Sequence, residues 1–192
     1  MANTLFPIFL KLDQLNTLVV GGGNVALEKV SAILRNAPNA HITVIAPFIR
    51  VDTLAYIEKF PLVNYEIREF VAQDLKGRDL VICATDNVQL HRKIKTLATE
   101  QHVLCNVADT PDLCDFYLGS IVQKGDLKIA ISTNGKSPTL AKRIRAFLED
   151  VIPMDIQESM DGLEAYRKSL KGDFELKIKA LNELTKGLTF KK

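Results

Sequence analysis

Apolar residues in this chain occur as short β-branched runs, separated by stretches in which they recur every three or four positions. That alternation is expected where strands and amphipathic helices follow one another. Thr17-Leu18-Val19-Val20 forms the first core run and His41-Ile42-Thr43-Val44-Ile45-Ala46 the second, and Asp79-Leu80-Val81-Ile82-Cys83-Ala84 is apolar enough for a strand buried on both faces. Val63 to Ile67 and Val103-Leu104-Cys105-Asn106-Val107 read as further strands, and Leu5-Phe6-Pro7-Ile8-Phe9-Leu10 as a short edge strand. Helices are predicted from Asn24 to about Asn36, after Asp52, and from Val88 to Gln101. In the first, Val25, Val30, Ile33 and Leu34 mostly turn toward a sheet, and Asn36-Ala37-Pro38-Asn39 stops it. The order predicts an α/β fold built on a Rossmann-like parallel sheet.

From Phe116 the pattern changes. Phe116 to Val122 and Leu127 to Ser132 flank Lys124-Gly125-Asp126 as in a hairpin. Ser137-Pro138 reads as an N-cap followed by proline at the first helical position, opening a helix with Leu140, Ile144, Phe147 and Val151 on one face. Two more amphipathic helices follow, after Asp155 and after Gly172. The expected organisation is a Rossmann-like domain over 1–113, a small α+β hairpin-and-helix region over 114–151, and a C-terminal helical segment over 152–192.

The break between the first strand and first helix is the most specific local feature. In Gly21-Gly22-Gly23-Asn24-Val25-Ala26, the residues Gly21, Gly23 and Ala26 occupy the small positions of G-x-G-x-x-G/A. Such a turn admits a pyrophosphate against main-chain N–H groups at a helix start. Open α/β sheets bind ligands beyond the carboxyl ends of their strands. Three such ends, Gly21 to Gly23, Thr85-Asp86 and Asn106 to Asp109, are expected to converge on one cleft. Asp86 either contacts a cofactor or caps the next helix. Asp109 is either a cleft carboxylate or the start of the Asp109-Thr110-Pro111 turn, with Asp112 and Asp115 close by. The second strand ends in Ala46-Pro47-Phe48 rather than in the acid that usually holds the ribose hydroxyls of NAD, and Arg50 raises NADP as a competitor or is simply a surface charge.

Further along, Asn134-Gly135-Lys136-Ser137 joins a strand to a helix N-terminus, where a positive dipole and Lys136 favour an anion. Lys142, Arg143 and Arg145 add charge there or form a solvated basic face. The net charge of +2 offers no general attraction to nucleic acid or anionic membrane, and no apolar run reaches the ~18 residues of a membrane span. Cys83, Cys105 and Cys114 lack metal-ligand spacing, even with His102 nearby, and read as buried thiols; with no cleavable leader evident, the cytoplasm is expected. His91 and His102 fall in or beside a helix and read as surface residues. No Tyr-x-x-x-Lys pair is present.

Taken in order, Phe6-Pro7-Ile8-Phe9, Val19 to Ala26, Ala46-Pro47, Ala84-Thr85-Asp86, Cys105-Asn106-Val107-Ala108-Asp109 and Ile131 to Pro138 resemble the precorrin-2 dehydrogenase/sirohydrochlorin ferrochelatase module of siroheme synthases, in its stand-alone form. The resemblance implies NAD-dependent oxidation of precorrin-2 to sirohydrochlorin, and in some members Fe²⁺ insertion to give siroheme. It implies that Asp109 is catalytic, and that NAD meets Gly21, Gly22, Gly23, Asn24, Val25, Ala46, Pro47, Phe48, Thr85, Asp86 and Asn106. It further implies a polycarboxylate tetrapyrrole beside Asn134, Gly135, Lys136 and Ser137. No resident metal is implied. A homodimer is, with 114–151 as its dimerisation region, although the apolar face of the helix over 137–151 would look the same if it packed within one chain. The competing reading is a nucleotide-sensing regulatory module that binds NAD without chemistry.

Overall fold

The computed structural model describes residues 3–170 and 174–186. They fall into two compact units divided between Leu118 and Gly119. In the first, β1 (Asn16–Val20), β2 (His41–Ala46), β3 (Val63–Ile67), β4 (Leu80–Cys83) and β5 (Leu104–Val107) form one parallel sheet in the order β3-β2-β1-β4-β5. Helices α1 (Asn24–Asn36), α2 (Val51–Ile57) and α3 (Val88–Glu100) connect them. This is the Rossmann-like arrangement the alternating pattern predicts.

The central strands are apolar on both faces because both faces are covered. On one side Val19, Val44 and Ile82 meet Ala26, Val30, Ile33 and Leu34 of α1. On the other Leu18, Val81 and Cys83 meet Ile94 and Ala98 of α3. Sheet order reverses direction at β1, which pairs with β2 on one edge and β4 on the other. The β1 and β4 carboxyl ends therefore flank a topological switch point, the place where open α/β sheets bind ligands.

Residues 5–10 are not a strand in this structure. Pro7 has no N–H to give to a ladder, and Phe6 and Phe9 stand 86% and 66% exposed. The apolar run predicts an edge strand, but among the described residues no strand pairs with it.

One buried charge holds the β3–β4 connection. Asp74 accepts from both Arg68 terminal nitrogens, at 2.8 and 2.6 Å, and from the Val71 N–H at 2.8 Å. Burial pushes its pKa up, but the Arg68 fork and the Val71 N–H outweigh it, and the net shift is downward. A carboxyl with a lowered folded pKa stabilises above its unfolded value, 3.8, and that contribution is lost as pH falls through the folded value. Asp74→Asn is therefore expected to cost about 2 kcal/mol at pH 7 by urea titration. The gap to wild type should narrow as the pH falls below 3.8.

In the second unit, β6 (Ser120–Lys124) and β7 (Leu127–Ile131) make an antiparallel hairpin turning at Gly125, with α4 (Pro138–Val151) packed on it. The helices α5 (Ile156–Ser169) and α6 (Phe174–Thr185) pack together. Gln157 of α5 braces the hairpin turn, accepting from the Asp126 N–H at 2.7 Å and donating to its carboxylate at 3.0 Å. Gly172, where the last helix is expected to begin, lies outside the described residues. Of the α4 face predicted to be apolar, Leu140, Phe147 and Val151 are exposed and Ile144 is half-buried, while the buried residue of the helix, Ala141, lies to one side of that stripe.

Candidate functional site

Strand register sets the first unit's candidate site. Val20 pairs with Cys83 and Cys83 with Val107, so the chain leaves β1, β4 and β5 at one level. Gly21 to Gly23, Ala84 to Asp86 and Ala108-Asp109 are thus three neighbouring exits. Backbone hydrogen bonds stitch them: Ala84 N–H to the Val20 carbonyl at 2.8 Å, and Ala108 N–H to the Cys83 carbonyl at 3.0 Å.

The three glycines do different work. Gly21 sits at φ +130°, and a Cβ there would lie 2.3 Å from the Ala84 carbonyl oxygen. At Gly22 a Cβ would lie 2.4 Å from the Phe48 carbonyl oxygen. Both are dictated by close passage of backbone. Gly23 differs, since a Cβ there would meet nothing within 4 Å. Its emptiness borders the start of α1, which no side chain caps and whose first turn carries no acid. Unpaired N–H groups at such an end favour an anion. Asn24 is exposed and Val25 half-buried beside them.

Around that turn, Ala46 is buried as the last residue of β2, while Pro47 and Phe48 are exposed, Phe48 by 71%. The loop is tied down by the Arg50 N–H to the Gly22 carbonyl at 3.0 Å. The Arg50 guanidinium pairs with Asp52 at 3.4 Å. A ring left open beside a phosphate-accepting turn fits an adenosine, and the residues present fit a dinucleotide.

At the β4 exit, Asn87 and not Asp86 caps α3, its side chain accepting from the Leu90 N–H at 3.0 Å. Asp86 is exposed and Thr85 half-buried. At the β5 exit Asp109 is exposed, with φ +57°. Its carboxylate has no hydrogen-bond or ion-pair partner among the described residues. The neighbouring acids differ: Asp115 accepts from the Cys105 N–H at 2.9 Å and pairs with Lys95, tying β5 to α3. Asp112 lies exposed on a short 3-10 turn. Asn106 is buried, and its amide nitrogen donates to the Phe116 carbonyl at 2.7 Å, so that group is committed to the loop.

In the second unit, Asn134 and Gly135 have positive φ, and they are exposed together with Lys136. Ser137 is committed to α4, its hydroxyl accepting from the Leu140 N–H at 3.2 Å. Lys142 and Arg143 are exposed, and Arg145 faces Glu149 at 3.6 Å.

A family model described as "Putative NAD(P)-binding" matches residues 8–120, more than half of the chain. The chain belongs to this NAD(P)-binding family. A second model, "Sirohaem biosynthesis protein central", matches residues 124–150. The chain is similar to the siroheme synthase of Thioalkalivibrio sulfidiphilus (strain HL-EbGR7), 37% identical over 185 residues that cover 95% of this chain and 37% of that protein. It is similar also to that of Nitrosococcus oceani, 41% identical over 165 residues, 86% of this chain and 35% of the relative. It therefore spans little more than a third of these relatives' length. A solved structure of SirC, precorrin-2 dehydrogenase, shares the fold with a TM-score of 0.73 at 23% identity, covering 96% of this chain and 93% of that one.

Two residues of this NAD(P)-binding unit escape a reading by motif. His91, read as a surface residue, is only 4% exposed, with Nε2 at 2.8 Å from the Thr85 hydroxyl. The available signal was its spacing: His91, Ile94 and Ala98 are the buried stripe of α3. Burial lowers its pKa, opposed by the Thr85 carbonyl and Asp86. Cys114 is the second. Half-buried, its sulfur accepts from the Val107 N–H at 3.2 Å, and its single S–H faces the Val107 carbonyl at 3.2 Å and the Thr110 carbonyl at 3.4 Å, closing the loop that carries Asp109. Burial pushes that thiol's pKa up, so it stays protonated and able to donate. No spacing rule could have shown a thiol folding back on its own loop.

Proposed function

We propose that this chain binds NAD⁺ at the Gly21–Gly23 turn and oxidises precorrin-2 to sirohydrochlorin in siroheme biosynthesis. One observation carries the reading: an uncapped helix start with open space at Gly23, on the same sheet level as the unpartnered carboxylate of Asp109. Bound NAD⁺ supplies a hydride acceptor. Removing a hydride and a proton from the substrate leaves the proton to be taken up, and Asp109 is the proposed base. Names of the similar proteins, siroheme synthase and precorrin-2 dehydrogenase, support the substrate.

Gly23, Asn24 and Val25 would offer main-chain N–H groups to the pyrophosphate, with Pro47 and Phe48 against the adenosine. The exposed Asn134, Gly135 and Lys136 would hold a substrate carboxylate, and Fe²⁺ would enter as a second substrate for the product ring. The bare α4 face and residues 5–10 support a homodimer, testable by light scattering. Three free thiols support the cytoplasm, and no helix among the described residues is long and apolar enough to cross a membrane.

The deciding experiment mixes purified chain with precorrin-2 and NAD⁺, then adds Fe²⁺. Joint growth of NADH and sirohydrochlorin absorbance is expected, followed by the siroheme spectrum. NAD⁺ binding without any ring oxidation would leave a nucleotide sensor in place of an enzyme.

A further inference from the structure

The Thr85–His91 pair is the feature of the first unit that the function above does not use. The Thr85 hydroxyl oxygen lies 2.8 Å from His91 Nε2, and it accepts from the Asn87 N–H at 3.2 Å. His91 Nδ1 is buried and meets no hydrogen-bond partner among the described residues. A neutral imidazole carries one N–H, on either nitrogen. Placing it on Nδ1 would bury a donor with nothing to accept it, whereas placing it on Nε2 leaves only a bare lone pair inside. Orphaned buried N–H groups are the rarer and costlier case. The proton therefore belongs on Nε2, and His91 donates to Thr85.

The consequence falls on Thr85. A hydroxyl has two acceptor lone pairs and one donor hydrogen. Asn87 and His91 occupy both lone pairs, so the hydroxyl can act toward a ligand only as a donor, and its hydrogen has no acceptor among the described residues. The residue stands at the β4 exit, where a Cβ on Gly21 would come within 3.2 Å of the Thr85 backbone nitrogen.

We infer that His91 is a positioning residue: it fixes the Thr85 hydroxyl as an obligate hydrogen-bond donor to an oxygen of the bound dinucleotide, a ribose hydroxyl, phosphate or carboxamide oxygen. The inference rests on the dinucleotide reading above. It makes His91 act on affinity without touching the ligand.

Long-range ¹H–¹⁵N spectra of the full chain labelled on histidine read the tautomer directly, with only His41 and His102 to distinguish. An Nε2–H ring at His91 is expected, and an Nδ1–H ring overturns the inference. This needs no substitution and stands even if a variant misfolds. Calorimetric titration with NAD⁺ then follows a double-mutant cycle. Thr85→Val and His91→Leu are each expected to weaken binding about tenfold, and His91→Leu to add less than about twofold in the Thr85→Val background. His91→Gln, which keeps an N–H at the end of the side chain, is expected to restore binding. Losses that simply add, or a His91→Leu protein with wild-type affinity, overturn it. Failure of the wild-type chain to bind NAD⁺ would instead strike the dinucleotide reading, while the spectrum still decides the tautomer.

Discussion

Alanine at Gly21 is expected to remove a large share of the protein's stability, while alanine two residues later at Gly23 leaves the fold intact and weakens nucleotide binding. The first residue sits at φ +130°, and its Cβ would press on the Ala84 carbonyl at 2.3 Å and 2.7 Å from oxygen and carbon. Neither atom can move aside, because the Ala84 N–H is itself bonded to the Val20 carbonyl at the head of the sheet. Strain and overpacking together should cost roughly 3–5 kcal/mol. That is a large share of the roughly 5–15 kcal/mol that holds a domain folded. Gly23 has an extended backbone, φ −87° and ψ −164°, and nothing near its absent side chain. Gly23→Ala should therefore change stability by no more than about 1 kcal/mol, the difference between glycine and alanine at an N-cap. A methyl group in the space proposed for the pyrophosphate should weaken NAD⁺ binding by about tenfold or more, ~1.4 kcal/mol. Urea titration and calorimetry on the two variants measure both arms. Normal NAD⁺ binding by Gly23→Ala would move the phosphates away from this turn.

Asp109→Asn is expected to lower turnover about 10²- to 10⁴-fold, the span ordinarily supplied by a positioned acid or base, with NAD⁺ affinity and stability kept. Asparagine is the proper substitution here. The position is left-handed, φ +57°, a region asparagine tolerates and alanine does not, so the variant separates loss of the carboxylate from loss of the turn. Asp115→Asn serves as the contrast: that carboxylate ties β5 to α3 through Cys105 and Lys95, and its loss should appear as lowered stability at near-normal turnover. Were Asp109→Asn to oxidise precorrin-2 at the wild-type rate, the base would have to be sought elsewhere.

The parallel sheet and its helices were legible in the sequence because each is set by neighbours in the chain. Continuous apolar runs mark the buried strands and a 3.6-residue period marks the helices, and the glycine turn announces where strand passes to helix. The Ser137-Pro138 start of α4 was readable for the same reason, as a local capping pattern. Residues 5–10 depart from the expected strand because the same apolar run serves equally as an edge strand or as an exposed segment. Only the presence of a partner decides between them.

The proposed role of Asp109 was legible as one of two open alternatives, and the structure adds which other acids are already committed. Asp74 and Asp115 are spent on partners, Arg68 and Lys95, that lie 6 and 20 residues away along the chain. Asp86 cedes the helix cap to Asn87. Such commitments are properties of contacts, and composition is silent about them.

By itself, the sequence determined the order of strands and helices and the turn at Gly21 to Gly23, because these are written in spacing and in the conformational demands of single residues, while Asp109 was singled out only by what the family resemblance implies. Tertiary structure alone decided which glycines are crowded and which one faces open space, which acids are already paired, and that His91 lies inside, against Thr85. Those facts depend on what the fold brings beside each residue, and burial and hydrogen-bond partnership arise only when distant segments meet.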